Sequence, residues 1–390
     1  MTRFNSPGRK VLGASVVLLG LACWAAGSLS FGQQAQTARG PSTAASVPFT
    51  ALPGGKTLID YFMPTPVQNP LVKDVWGAAG VLPRDAQNGL EDHNMMKEWC
   101  YWDGQIIKAK DGKYHMFASR WDQAAGHSGW GNSKAVHAVS DTLLGPYVDK
   151  GLCWPDDQGG KGHNVTALVL PKDEGYAIVI SETRPGAVYV SKSLDGPWML
   201  KGLLTVEGQP NWRASNVTVM VRPDGDYEIV QRSGQLMISK AADGICGPYK
   251  IQGPSVFPKG IPNLEDPAMF YVGGMYHITV NSWSTRKAYH LTSVDGLTNW
   301  QNRGLAYDPD KPFVRYADGT VNQWSLIERP AVYIEDGHVK AFTFAVLDVP
   351  KNQERGNDIH GSKIIVVPFD GAAFDRDLQA ASTVTPGVSR

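Results

Sequence analysis

The sequence predicts an all-β protein, a five-bladed β-propeller with a short N-terminal extension. Five copies of one layout support this prediction: a strand, a polar turn, a second strand, and a strand bearing V-S or T-S before a D-G or L-G-P loop. The polar turns read KDGK, PKDEG, RPDGD, YVGGM and IEDGH. Several strands in a period of about fifty residues are typical of a propeller, in which no blade buries both faces alone. The 42 glycines and 26 prolines suit a loop-rich fold of this kind.

The chain before the propeller predicts a leader and an extension. Arg3, Arg9 and Lys10 precede a long uncharged apolar run, so residues 1–33 are interpreted as a signal peptide of a secreted or periplasmic protein. The run is also long enough for an uncleaved membrane anchor, an alternative that we favour less. Residues 34–90 are predicted as a linker and an extension that packs on the propeller or on a partner subunit. The propeller then covers residues 91–371, and residues 372–390 form a tail that closes the last blade or frays.

The starts of the five inner strands define the predicted site. Inner strands line the axis of a propeller, so the residues just before Gln105, Thr166, Thr218, Met269 and Val332 should converge there. The candidates share a polar character: Asp103, His163, Asn164, Arg213, Asn216, Glu265, Asp266, Glu328 and Arg329. A side chain placed where a loop becomes a strand can point into a cleft while the sheet holds its backbone.

Three carboxylates carry the predicted chemistry. Asp103, Asp266 and Glu328 stand at the starts of the inner strands of blades one, four and five, and a proline follows closely in the last two blades. Glycoside cleavage needs one carboxyl group to protonate the leaving oxygen and another to activate water. The alternative is that these acids are plain turn residues, as the Asp103-Gly104 pair would allow.

The other polar and aromatic residues of this region are candidates for substrate binding. Trp102 and Trp121 could stack on sugar rings, and His127 could contact a hydroxyl group or act as an acid. The remaining candidates could donate or accept hydrogen bonds with the substrate: His163, Asn164, Arg213, Asn216 and Glu265. The alternatives are a purely structural histidine at 127 and a structural ion pair at Arg213.

Charge and cysteine content narrow the choice of partners and cofactors. With 37 basic and 37 acidic residues the net charge is zero, which argues against a nucleic-acid partner. Cys100, Cys153 and Cys246 lack the C-x-x-C spacing of a zinc site and allow buried thiols or one disulfide. We expect no required cofactor, while an ion on the axis and any metal remain open.

The segments WDG, LEDPA and IERPA and their spacing resemble the five-bladed propeller glycoside hydrolases of families 43 and 117, over about Asp92 to Gly371. Family 43 takes an acid from blade three, where this chain has Asn216. The resemblance to family 117, whose members are exo-acting on agar oligosaccharides, implies Asp103 as base, Asp266 as orienting acid and Glu328 as a site acid. That family also implies a histidine beside the blade-five glutamate, and Ile327 stands there. Either Glu328 is the general acid or the substrate differs.

The resulting hypothesis is an exo-acting, inverting glycoside hydrolase that acts on an oligosaccharide from an algal or plant wall polysaccharide. The resemblance also implies a homodimer formed through the N-terminal extension. Two alternatives stay open. One is a propeller that binds glycans without cleaving them, and the other is a glycoside phosphorylase.

Overall fold

The computed structural model describes residues 47–67, 85–92 and 97–383. The predicted signal peptide and linker at residues 1–46, and the end of the tail at residues 384–390, lie outside the described residues. Within the described part of the chain, no helix has the length and apolar character needed to cross a membrane.

The predicted propeller is confirmed, since the strands form five separate antiparallel sheets. Blade one contains β1 (Trp99–Lys108), β2 (Tyr114–Asp122), β3 (Lys134–Ser140) and β4 (Val148–Leu152). Blade two contains β5 (His163–Val169), β6 (Tyr176–Glu182), β7 (Ala187–Ser191) and β8 (Met199–Leu203). Blade three contains β9 (Thr218–Val221), β10 (Tyr227–Val230), β11 (Leu236–Ser239) and β12 (Lys250–Ile251). Blade four contains β13 (Leu264–Val272), β14 (Met275–Ser282), β15 (Lys287–Ser293) and β16 (Gln301–Tyr307). Blade five contains β17 (Leu326–Glu335), β18 (His338–Leu347) and β19 (Ser362–Pro368).

The outer edge of blade five is paired with the segment that precedes blade one. The backbone N–H groups of Leu90 and Ile364 each donate to the other residue's carbonyl oxygen at 2.9 Å. The Asn88 side chain adds a matching pair of bonds to the backbone of Val366, at 2.8 and 2.9 Å. This pairing brings residues 85–92 into the fifth blade and closes the ring of blades.

The described part of the N-terminal extension packs on its own chain. Leu58, Tyr61 and Phe62 are buried in a cluster with phenylalanines of blades four and five. The Phe62 ring lies 5.3 Å from the ring of Phe342 and 4.9 Å from that of Phe313. Residues 47–67 therefore pack on the propeller, which is one of the two predicted docking places.

The tail begins as a helix rather than as a strand or a frayed end. Helix α1 (Gly371–Thr383) places Phe374 and Leu378 in the same apolar cluster. Its position against blade five is also fixed by His338, whose Nδ1 lies 2.5 Å from Oδ2 of Asp375. Cys100, Cys153 and Cys246 are free thiols, which decides between the two predicted states of these cysteines.

Candidate active site

One residue in each blade has a left-handed backbone at the start of the inner strand. These residues, which we call the axial ring, are Asp103 (φ 71°), Asn164 (57°), Asn216 (44°), Asp266 (52°) and Arg329 (48°). In β1, β13 and β17 the pairing register shifts at this place, so the strand is locally bulged. A bulge re-aims a side chain out of the pleat, and Asp and Asn tolerate a positive φ better than most residues. The left-handed backbone is common to all five blades, and in three of them a bulge accompanies it.

Arg329 joins the two aspartates of the axial ring. Its Nε lies 3.1 Å from Oδ1 of Asp103, and one of its terminal nitrogens lies 3.3 Å from Oδ1 of Asp266. All three side chains are buried. Burial alone would lower the pKa of Arg329, but the carboxylates of Asp266 and Asp103 raise it. The guanidinium therefore stays charged and holds the two carboxylates on either side of it.

Asp103 is held on both of its oxygens. Oδ2 accepts hydrogen bonds from the Ser119 hydroxyl and from the backbone N–H of Val165, the latter at 3.0 Å. Burial raises the pKa of Asp103, while Arg329, Ser119 and Val165 act in the opposite direction. A carboxylate has about four lone-pair positions, and these contacts use three of them. One position on Oδ1 is left for a water molecule or a substrate.

A second group of carboxylates lies beside the ring. Glu265, Asp266 and Glu328 each place an oxygen within 4.8 Å of the other two. Glu265 and Glu328 directly precede the ring residues of their blades, so Glu328 corresponds in position to Glu265 rather than to Asp266. We call these three residues the acid cluster.

Two carboxyl groups of the acid cluster, Glu265 and Glu328, have raised pKa values. Burial and the charges of Asp266 and Glu328 raise the pKa of Glu265 to about 8. Burial also raises the pKa of Glu328, against the opposing effect of Lys351, whose Nζ lies 2.6 Å from Oε2 of Glu328. Because repulsion between close carboxylates favours protonation, the acid cluster holds a proton at neutral pH.

Two residues that sequence reasoning missed belong to this site. Lys351 lies in the loop after β18, and nothing in that loop's sequence pointed to the axis. Glu182 ends β6, where it is the cross-strand partner of His163 and accepts the backbone N–H of Asn216 at 2.7 Å. Burial raises the pKa of Glu182 to about 7. Pairing β5 with β6 in register would have identified it.

The predicted role of the two tryptophans is wrong. Trp102 and Trp121 are only 4% and 2% exposed, so protein atoms cover the ring faces that a sugar would need. His127 packs edge-on between them, at 5.2 and 5.9 Å, and burial lowers its pKa well below the usual range. His127 is therefore neutral and is unsuited to donate a proton. The aromatic ring that is exposed on this loop is Trp130, 40% accessible and 5.0 Å from the ring of His163.

The prediction that Arg213 places its guanidinium on the axis is also wrong. The Arg213 side chain is exposed, and the buried guanidinium on the axis belongs to Arg329. The other predicted binders lie in the ring or beside it. Asn164 and Asn216 are ring members, and the Asn216 amide donates to Oδ1 of Asp266. His163 is buried, and burial together with Arg329 lowers its pKa to about 3, so it is neutral.

One cavity adjoins the axial ring, and a second one lies among residues of blades three and four. One of about 560 Å³ runs along the axis between the inner strands, and its lining residues, such as Ile107, Leu168 and Met269, follow the ring residues along the chain. The other, of about 720 Å³, lies on the side of the acid cluster and is lined by Arg232, Phe257 and other residues of blades three and four. Arg232 contacts Oε2 of Glu265 at 3.1 Å, so the second cavity is next to the ionisable groups.

The oxygen donors of the acid cluster are of the kind that a hard cation such as Ca²⁺ prefers. Three cationic side chains already contact the cluster, namely Arg232, Arg329 and Lys351. Their charges oppose the entry of a metal ion. The cluster therefore suits proton transfer better than metal binding.

Comparisons with known proteins agree on the fold. No family profile matches the chain, and no curated protein matches its sequence. Among solved structures, a protein titled glycoside hydrolase has 14% identity and a TM-score of 0.51, covering 73% of this chain, which spans 61% of that protein's length. Zg3597, a family 117 glycoside hydrolase of the marine bacterium Zobellia galactanivorans, has 13% identity and a TM-score of 0.50, covering 73% of this chain and 88% of its own. The catalytic domain of the family 62 α-L-arabinofuranosidase of Coprinopsis cinerea has 14% identity and a TM-score of 0.51, covering 77% and 98%.

Proposed function

We propose that the protein is a glycoside hydrolase that removes a terminal sugar from an oligosaccharide of an algal or plant wall polysaccharide, with inversion at the anomeric carbon. The observation that carries the proposal is geometric: three carboxyl groups lie within 4.8 Å of one another, and the separate carboxylate of Asp103 is held by Arg329. The glycoside hydrolase titles of the structurally similar proteins support the reaction class. The exo mode rests on the resemblance to family 117.

In the proposed mechanism Asp103 is the general base. Arg329 keeps its carboxylate ionised, while burial raises its pKa and makes it a stronger base than an exposed aspartate. A water molecule on the free position of Oδ1 would lose its proton to Asp103 as its oxygen attacks the anomeric carbon. The same carbon loses its bond to the leaving oxygen, which gives an inverted product.

Glu328 is the proposed general acid, and Asp266 is a neighbouring carboxylate that favours its protonated form. Burial is the main cause of the raised pKa of Glu328, and Asp266 acts in the same direction, whereas Lys351 opposes both. Lys351 then stabilises the Glu328 carboxylate after the proton has moved to the leaving oxygen. Glu265, whose pKa is about 8, is protonated at neutral pH and is the second candidate for this role.

The substrate would occupy the side of the ring that carries the acid cluster. The cavity beside Glu265 offers Phe257 as an apolar face and Gln231 and Asn263 as hydrogen-bonding groups. Across the site, Trp130 supplies an exposed ring beside His163. A phosphorylase is less well supported, because Arg232, Arg329 and Lys351 are each paired with a carboxylate rather than free for phosphate.

The test is a release assay with the purified protein against agar, carrageenan, arabinan, xylan and ulvan oligosaccharides, followed by mass spectrometry. We expect one terminal sugar to be released by the wild-type protein, and turnover to fall by about 10²-fold or more in Glu328→Gln and Asp103→Asn. Glu207→Gln, which changes an exposed glutamate, is the matched control. Proton NMR of the first product would show the inverted anomer.

The outcomes separate the alternatives. Near-full activity of Glu328→Gln with loss in Glu265→Gln would move the acid role to Glu265. An oligosaccharide that raises the melting temperature of all variants without any release would contradict hydrolysis and favour a glycan-binding propeller.

A further inference from the structure

Two blades contain a pair of histidines at matching places on their second and third strands. In blade one, Nδ1 of His115 on β2 lies 2.8 Å from Nε2 of His137 on β3. In blade four, Nδ1 of His277 on β14 lies 3.0 Å from Nε2 of His290 on β15. All four rings are buried. The two pairs share a geometry but differ in what surrounds them.

The blade-four pair is a completed hydrogen bond. Nε2 of His277 lies 3.2 Å from the carbonyl oxygen of Val272, so it carries the proton and leaves Nδ1 as an acceptor for the N–H of His290. The ring of Phe374 from α1 covers both imidazoles, at 5.5 and 5.7 Å. The hydrogen bonds of His277 and His290 are fixed and an apolar ring covers both side chains, so this pair suits a structural role.

A carboxylate approaches the blade-one pair, whereas the ring of Phe374 approaches the blade-four pair. Oδ1 of Asp195, from the β7–β8 loop of blade two, lies 4.0 Å from Nδ1 of His115. Among the described residues, neither His115 nor His137 donates to a backbone carbonyl that would fix which nitrogen carries the proton. His115, His137 and Asp195 each place one potential ligand atom within 4.8 Å of the other two.

The turn that contains Asp195 offers its carboxylate one backbone N–H fewer than the matching turn of blade four. The corresponding Asp295 of blade four accepts the backbone N–H groups of Leu297 and Thr298, both at 2.8 Å. In blade two the residue matching Leu297 is Pro197, which has no N–H to donate. The Asp195 carboxylate therefore lacks this capping bond and extends toward the histidines.

We propose that Nδ1 of His115, Nε2 of His137 and the carboxylate of Asp195 form a Zn²⁺ site between blades one and two. Two imidazoles and one carboxylate are a donor set that Zn²⁺ takes in proteins, with its remaining position filled by water. Zinc–ligand bonds are about 2.0–2.2 Å long, so the ligand atoms around a tetrahedral ion stand about 3.3 Å apart. The two nitrogens, now 2.8 Å apart, must therefore give up their direct contact and separate by about 0.5 Å, and the Asp195 side chain must approach the rings by about 1 Å. Its side chain is 76% exposed and is free to do so.

The surroundings suit a bound cation. Burial keeps the pKa of His115 and His137 low, the latter at about 4, so both rings are neutral ligands at physiological pH. The other charged groups that face the pair are Asp111, Lys113, Asp149 and Lys150, two of each sign. Because the ligands come from two blades, a bound ion would link them and stabilise the folded state.

The test uses the purified protein after treatment with a chelator and buffer exchange, titrated with ZnCl₂ by calorimetry and melted with and without Zn²⁺. We expect one equivalent to bind and the melting temperature to rise. Asp195→Asn should weaken binding roughly 10- to 100-fold, as loss of even a supporting partner of a metal ligand does. The matched control is Asp243→Asn, which changes an exposed aspartate in the equivalent loop of blade three.

Equal Zn²⁺ affinity in Asp195→Asn and the wild-type protein would overturn the proposal, and so would the absence of saturable binding. Loss of binding in His277→Asn but not in Asp195→Asn would place the ion in blade four and equally refute it. Since Asp195 lies outside the acid cluster and the axial ring, Asp195→Asn should leave sugar release unchanged. Failure of the zinc proposal is thus distinct from failure of the proposed hydrolase function.

Discussion

Replacing Arg329 with methionine should destabilise the fold and make its stability strongly dependent on pH. The guanidinium lies between the buried carboxylates of Asp103 and Asp266 and is 6% exposed. Removing one partner of a buried ion pair costs about 3–5 kcal/mol, because the remaining charge is left without compensation. Methionine keeps most of the side-chain volume, so the expected effect is electrostatic.

The expected loss of unfolding free energy can be converted into a fall in melting temperature. With an unfolding entropy of about 2 cal/mol/K per residue, the unit Val47–Arg390 has roughly 0.7 kcal/mol/K, so the melting temperature should fall by about 4–7 °C at neutral pH. Without Arg329, the pKa of Asp103 rises further above its unfolded value. A carboxyl group with a raised folded-state pKa loses stability as pH rises from the unfolded pKa through the folded one. The difference in stability between the wild-type protein and Arg329→Met should therefore be smallest near pH 4–5 and largest near pH 8.

Circular dichroism melts of Arg329→Met from pH 4 to 8 would measure both effects, with Arg376→Met on the exposed face of α1 as the control. Adding Asp103→Asn to Arg329→Met should recover part of the loss, since a neutral amide needs no counter-charge. A deficit that matches the control, or one that does not change with pH, would refute the assignment of Arg329 as the charge that holds the ring together.

Three further predictions follow from the site and the core. Trp130→Ala should raise KM with little change in kcat, because its exposed ring is the one that faces the sugar. Trp121→Ala should instead lower the free energy of unfolding by about 3–5 kcal/mol, because its ring is buried. The reverse pattern in kinetics and melting would contradict the assignment of Trp130 as the exposed sugar-facing ring. Burial raises the pKa of Glu354 to about 8, so the stability it contributes is lost as pH rises from about 4.5 to 8. Urea titrations of Glu354→Gln across this range should show a flatter pH dependence than wild type, and an unchanged slope would exclude Glu354 as its source. Phe374→Ala should cost about 3–5 kcal/mol through a cavity between α1 and blades four and five, and a change under 1 kcal/mol in the same assay would show that the helix contributes little to the core.

The fold could be predicted from the sequence because each blade repeats the same turns and strands, and most of the axial ring followed from it. Asp103, Asn164, Asn216 and Asp266 stand at a fixed place relative to their inner strands and are residue types that tolerate a left-handed backbone. Periodicity alone placed them on the axis. Glu328 stands one residue before the ring position of blade five, which Arg329 occupies, so the register predicted its neighbourhood and not its equivalence to Asp103 and Asp266.

The rest of the site depends on contacts between residues far apart in the chain. Lys351 reaches Glu328 from a loop with no distinctive sequence, and Glu182 is recognisable only once β6 is paired with β5. Trp102 and Trp121 stand in polar, glycine-rich surroundings that suggest exposure, yet they pack against each other and His127. Their burial is a property of the packing and not of the local pattern.

The left-handed backbone of the axial ring also limits which side chains can stand there. Asp and Asn suit this conformation almost equally and differ by little in size, yet one carries a charge and the other a neutral amide. The four blades that carry Asp or Asn in the ring can thus exchange an acid for an amide on the axis with almost no change in backbone or volume. A propeller of this geometry can gain or lose a catalytic carboxylate by a substitution that its folding barely registers, so two such proteins can share one architecture and differ completely in whether they cleave what they bind.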